Sequence, residues 1–141
     1  APRWEGARLL VGRARGQAFA FDATDCPDLF PPLAALAAHC AGTSSIRGVH
    51  RLRGKESDRA ASLKAAFDAL GCPVSFEGDA MLIMGGSVTG GKVDAAGDHR
   101  IAMAAAVAAL GASGGVEIIG SECVAKSWPA FFEDLAGIFV G

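Results

Sequence analysis

Lys92-Val93-Asp94-Ala95-Ala96-Gly97-Asp98-His99-Arg100-Ile101-Ala102-Met103-Ala104-Ala105-Ala106-Val107-Ala108-Ala109-Leu110 carries a strand–turn–helix pattern. Lys92–Ala95 reads as a short strand, Gly97 as a turn and Asp98–Leu110 as a helix. Asp98 is a residue type that caps helix N-termini. Met103, Val107 and Leu110 recur at helical spacing and predict the buried face. Beyond the glycine-rich Gly111–Gly115, Val116–Ile119 reads as a strand. Pro129–Phe139 reads as a last helix with proline in its first turn.

The same order of elements precedes this stretch. Leu9–Val11 reads as a strand, Ala18–Phe21 is a second apolar run, and Asp22–Pro27 is rich in turn formers. Leu29, Leu33, Leu36 and Cys40 share a helical stripe, with Pro31 and Pro32 in the first turn and Gly42 as the stop. Thr43–Leu52 reads as a strand with Ile46 and Val49 as its apolar positions. Asp58 caps a helix whose buried face is Leu63, Ala66, Phe67 and Leu70, closed by Gly71. Val74–Phe76 and Met81–Met84 form a hairpin around Gly78-Asp79, and Gly85–Gly91 reads as a flexible loop. The chain is therefore an α/β (α+β) protein with an internal repeat of about 70 residues. Residues 1–86 make one βαβαββ unit and residues 91–141 a second, βαβα unit. Asp28 opens a helix in one and Asp98 in the other, and each is followed after the next strand by a lysine, Lys55 or Lys126.

Composition narrows the function. The chain has 141 residues, is 51% hydrophobic and carries a formal charge of −2, which suits a globular domain. No basic stripe interleaved with aromatics points to nucleic acid. The positive charge is local: His50, Arg51, Arg53, Lys55 and Arg59 fall within ten residues, a pattern suited to a small anion. No apolar run reaches membrane-spanning length. Cys26, Cys40, Cys72 and Cys123 lack metal or redox spacing and read as reduced thiols, which favours the cytosol. The start has no signal-peptide layout, and Ala1-Pro2-Arg3-Trp4 leads into a strand as if cut from something longer.

Three polar nodes lie at helix starts. In Lys55-Glu56-Ser57-Asp58-Arg59, exposed backbone N–H groups and the helix dipole favour an anion, to which Lys55 adds a point charge and Arg59 a planar fork. Glu56 among these cations is suited to proton transfer. Gly97-Asp98-His99-Arg100 opens an apolar helix with three polar residues in a row. In Lys126-Ser127-Trp128-Pro129, the lysine charge opposes the dipole of the helix that follows, a placement that suits a ligand. Asp28 is either a simple helix cap or a carboxylate that takes a proton from a substrate hydroxyl. Each charged run also reads as solvated surface; what weighs against that is their equivalent placement in the repeat.

Asp25-Cys26-Pro27-Asp28, Leu52-Arg53-Gly54-Lys55-Glu56-Ser57-Asp58-Arg59, Gly97-Asp98-His99-Arg100-Ile101-Ala102-Met103 and Lys126-Ser127-Trp128-Pro129-Ala130-Phe131-Phe132 resemble, in order and spacing, the C-terminal motifs of the EPSP synthase family (3-phosphoshikimate 1-carboxyvinyltransferases). The resemblance implies the enolpyruvyl transferase (EPT/RTPC-like) fold, two globules of three βαβαββ units each, of which this chain would be a partial globule. It implies enolpyruvyl transfer from phosphoenolpyruvate to the 5-hydroxyl of shikimate 3-phosphate, with no metal or organic cofactor. By resemblance Asp28 would deprotonate the 5-hydroxyl, Lys55 would contact shikimate 3-phosphate and the reacting oxygens, and Glu56 would handle the methylene proton. Arg59, Arg100 and Lys126 would hold the carboxylate and phosphate of phosphoenolpyruvate, with His99 in support. Arg51 departs from the neutral amide common at its place and is left outside the site. The partners implied are the two substrates and the missing N-terminal part of the same enzyme. The full enzyme would be cytoplasmic and monomeric, this portion inactive alone and with apolar surface open to self-association. A sibling UDP-sugar enolpyruvyl transferase and a non-catalytic anion-binding or interaction module are the alternatives.

Overall fold

The computed structural model describes residues 3–10, 16–54 and 58–138. A hairpin of β1 (Arg3–Glu5) and β2 (Arg8–Leu10) comes first. Then follow β3 (Gly16–Gln17), β4 (Ala20–Asp22), α1 (Phe30–Ala38), β5 (Cys40–Arg47), α2 (Arg59–Ala69), β6 (Val74–Glu77) and β7 (Ala80–Gly85). The remainder is β8 (Gly91–Asp94), α3 (His99–Ala109), β9 (Val116–Ile119) and α4 (Phe131–Gly137). Short 3-10 turns occupy Pro27–Leu29, Val49–Leu52 and Ser121–Lys126.

The repeat is visible in the pairing. β4 runs parallel to β5, with α1 between them in sequence, and β8 runs parallel to β9, with α3 between them. β5 also pairs β3 in parallel and β7 antiparallel, and β7 carries β6 on its far side. The details recur 72 residues apart. Asp22 accepts from Thr24 N as Asp94 accepts from Ala96 N. Ala23 N donates to Arg47 O as Ala95 N donates to Ile119 O. Left-handed Gly48 and Gly120 each turn the chain from a strand into a 3-10 turn. This register corrects the expected pairing of Asp28 with Asp98: Asp98 stands opposite Cys26, and Asp28 opposite Arg100.

Several boundaries differ from expectation. α1 stops at Ala38, and both Cys40 and Gly42 lie in β5. The expected Thr43–Leu52 strand starts earlier and ends at Arg47, where Gly48 (φ 105°) diverts the chain. The Gly85–Gly91 loop is anchored: Thr89 N donates to Leu70 O, Ser113 N to Val88 O, and Val88 is buried. α4 begins at Phe131, with Pro129 in the turn before it. β2 covers Leu9 and Leu10, while Val11 lies outside the described residues.

The core is made largely of alanine where α1 meets α3. Ala34, Ala35, Ala37 and Ala38 are buried on α1, and Ile101, Ala102, Ala104, Ala105 and Ala108 on α3. Small faces let helix axes approach closely. The larger side chains expected inside are turned out: Leu36 is 53% exposed, and Leu29, Val107 and Leu110 are also exposed. Two alternating stripes satisfied helical spacing, and the alanine stripe is the one that packs. The expected face of α2 holds, with Leu63, Ala66, Phe67 and Leu70 buried. Full burial of a side chain such as Phe67 stabilises the fold by about 2–3 kcal/mol. His39 Nε2 donates to Ala108 O (2.9 Å) and ties the C-terminal ends of α1 and α3 together.

Candidate functional site

With their C-terminal ends joined at His39, α1 and α3 run parallel, so their N-terminal ends lie on one side. α2 starts there too, because its first residue, Arg59, reaches the residues that open the other two helices. Three helix N-termini therefore face one region, and their dipoles favour anions in it.

Charged side chains link these three starts. Arg59 is 1% exposed and Asp98 fully buried. Arg59 Nε donates to Asp98 Oδ2 at 2.8 Å. The other oxygen, Asp98 Oδ1, accepts from Arg100 N at 3.0 Å and caps α3. Arg59 Nη1 reaches Asp28 Oδ1 at 3.4 Å, and Arg100 Nη1 pairs with the same Asp28 oxygen at 2.5 Å. Charge thus alternates along Asp98, Arg59, Asp28 and Arg100. A buried guanidinium at a helix N-terminus is opposed by the dipole, so an anionic partner is a condition of its burial.

Asp28 is not a helix cap. It lies inside the 3-10 turn before α1, whose N-cap residue, Leu29, makes no side-chain cap bond. Its carboxylate serves the two arginines instead. Asp58 does cap α2, accepting from Ala61 N at 3.2 Å. His99 is buried beside this network, and its Nδ1 has no hydrogen-bond partner among the described residues. Contrary to expectation, Lys126 belongs to the end of the Ser121–Lys126 turn and not to the start of α4, which begins at Phe131, so its charge is not set against that helix's dipole. Its Nζ donates to Gly97 O at 2.9 Å, at the edge of the same region. Lys55 and Glu56 lie outside the described residues. Asp98 was legible only as a cap; its second bond, to a residue 39 positions away, has no local signal.

The site is a wall rather than an enclosed cavity. A cleft of about 220 Å³ runs from Asp28 and Arg100 along Pro32, Met103 and Val107. A larger cleft, about 620 Å³, lies on another flank of α2 between Arg53, Lys64 and Phe76. Of the expected site residues that the structure describes, none lines it. All four cysteines are free, and burial raises the Cys40, Cys72 and Cys123 thiols, which makes them poor nucleophiles. Among the described residues, no helix is long and apolar enough to cross a membrane.

A family model described as EPSP synthase (3-phosphoshikimate 1-carboxyvinyltransferase) matches residues 3–135, which include every residue of this network. The chain belongs to the EPSP synthase family. The 3-phosphoshikimate 1-carboxyvinyltransferase of Thermococcus kodakarensis is 46% identical over 92% of this chain and 34% of its own length. That of Halobacterium salinarum is 40% identical over 95% of this chain and 32% of its own. The chain thus spans about a third of these relatives. An EPSP synthase from Acinetobacter baumannii superposes with a TM-score of 0.70 at 36% identity, covering 77% of this chain and 26% of that one. The enolpyruvyl transferase NikO from Streptomyces tendae superposes with a TM-score of 0.64 over 87% of this chain and 28% of that one; at 22% identity it speaks for the fold alone. The expected enolpyruvyl transferase fold, in partial form, is therefore the one observed.

Proposed function

We propose that this chain forms one wall of a 3-phosphoshikimate 1-carboxyvinyltransferase active site. The observation that carries this reading is the convergence of Asp28, Arg59 and Arg100, from three separate helix starts, on one surface. Here enolpyruvyl passes from phosphoenolpyruvate to the 5-hydroxyl of shikimate 3-phosphate. Asp28 takes the hydroxyl proton as the oxygen attacks, and Glu56 delivers a proton to the methylene carbon. Loss of that proton and expulsion of phosphate complete the transfer. Arg59, Arg100 and Lys126 hold the carboxylate and phosphate of phosphoenolpyruvate, with His99 in support, and Lys55 contacts shikimate 3-phosphate. Positive charge offsets the negative charge that develops, and two carboxylates divide the proton work. Because Arg100 pairs with Asp28, an incoming anion competes for that guanidinium and releases the carboxylate for its role as base.

The chain acts as part of a larger, monomeric enzyme and is inactive alone, because a site divided between two bodies loses its positioning when one is missing. The exposed apolar residues along α1 and α3 suit packing against the remainder, and would drive self-association of the isolated chain. Four free cysteines suit a cytoplasmic protein.

Titrating the chain with phosphoenolpyruvate and shikimate 3-phosphate should shift the amide resonances of Asp28, Lys55 and Arg100, while the chain alone releases no phosphate above background. Unmoved resonances at saturating ligand would sink the site; substantial turnover would sink the divided site.

A further inference from the structure

Asp98 has a duty that capping does not account for. The backbone bond that closes the turn into α3, Asp98 N to Ala95 O, has its counterpart at Cys26 N to Ala23 O, in a turn of the other hand. Cys26 makes no side-chain cap bond. The closing bond therefore forms without a carboxylate, yet at Asp98 a fully buried carboxylate stands, and its second oxygen accepts from Arg59 Nε. We propose that Asp98 is a positioning residue: it fixes the Arg59 guanidinium by its Nε edge and so presents the Nη1 side, next to Asp28 and Arg100, to the anionic group of the substrate.

This rests on the function proposed above. A guanidinium held on one edge keeps its plane and direction, so a planar carboxylate or a phosphate meets a donor fork already oriented. The Asp98 oxygen that caps α3 also fixes the carboxylate itself, so the orientation of Arg59 is referred to the backbone of α3 through Arg100 N. Arg59 and Arg100, on different helices, are thereby set relative to one another by a single side chain.

The test uses the whole chain and phosphoenolpyruvate as probe. In the unaltered protein the Arg59 Nε–Hε resonance should exchange slowly with solvent and stay in place on titration, while Nη signals move. D98N keeps an oxygen to cap α3 but removes the charge; it should expose Nε–Hε to exchange and weaken phosphoenolpyruvate binding about tenfold. R59K keeps the charge without the fork and should lose a similar factor, and D98N/R59K should lose no more than either alone, because both remove one oriented donor. Fully additive losses, or an Arg59 Nε–Hε that exchanges freely in the unaltered protein, would overturn the proposal. If D98N does not fold, D98E, which keeps the charge but changes its reach, takes its place in the same comparison. If phosphoenolpyruvate does not bind at all, the functional reading falls, and the difference in Nε–Hε exchange between the variant and the unaltered protein still decides whether Asp98 holds Arg59.

Discussion

The two turns that lead into α1 and α3 have the same hydrogen bonds and different chemistry. Each starts with an aspartate that accepts from the N–H two residues on, passes a fully buried alanine, and closes on the residue three places after it. At the closing position one turn has Cys26 and the other Asp98; two residues later one has Asp28 and the other Arg100. The backbone is thus specified by Asp22 and Ala23, or Asp94 and Ala95, and the later positions are free for charge. Equivalent positions in a repeat need not carry equivalent side chains. Here opposite charges, Asp28 and Arg100, stand at matching places and pair with each other.

Removing the two closing side chains should have the most unequal effects. D98A removes the carboxylate that holds Nε of the buried Arg59, leaving Asp28 as an anionic partner, and should cost about 3 kcal/mol, whereas C26A should cost about 1 kcal/mol or less. Urea unfolding of both variants measures the difference. Equal costs would mean that Asp98 matters to the turn rather than to Arg59.

Much of this was legible in the sequence. Helix existence and order followed from caps and glycines, as at Asp58 and Gly71, and the hairpin from Gly78-Asp79. The faces of α1 and α3 were not legible, because alanine carries little hydrophobic signal beside leucine and valine, yet alanine is what the two helices bury. The clustering of Asp28, Arg59 and Arg100 was anticipated as a set of nodes, but their register was not. Asp28 and Asp98 look alike in sequence, and only the pairing of β4 with β5 and β8 with β9 shows that they occupy different places in the repeat.

The turns also differ in hand, which offers a second and smaller test. Ala96 (φ 51°) and Gly97 (φ 69°) both have positive φ, as in a type I′ turn, whereas neither Thr24 nor Asp25 does. An L residue in this region is strained by about 1–2 kcal/mol, part of which glycine's greater freedom in the unfolded chain cancels. A96G should therefore stabilise by about 0.5 kcal/mol and T24G should destabilise, as read from thermal midpoints. A destabilising A96G would show that the methyl group makes contacts that outweigh the strain.

The smallest effect concerns the β6–β7 hairpin, which follows α2 in the first unit. Its turn residue Asp79 accepts from His50 N at 2.9 Å and pairs with the His50 ring at 2.8 Å, and its carbonyl accepts from Gly48 N and Val49 N. The hairpin thereby holds the chain where it leaves β5. The backbone bond from His50, aided by the His50 ring, holds the Asp79 carboxyl below its ordinary value. A depressed folded value means that folding favours the ionised form. The contribution is complete above the unfolded carboxyl range, near pH 4, and is lost as pH falls through the folded value. D79N should remove this part of the acid sensitivity and, with it, the ionised carboxylate's contribution to stability at neutral pH, although the amide oxygen still accepts from His50 N. Stability measured from pH 6 down to pH 2 should therefore fall less steeply below pH 4 in D79N than in the unaltered chain. Superimposable acid limbs would mean that the hairpin holds this corner through its backbone bonds alone.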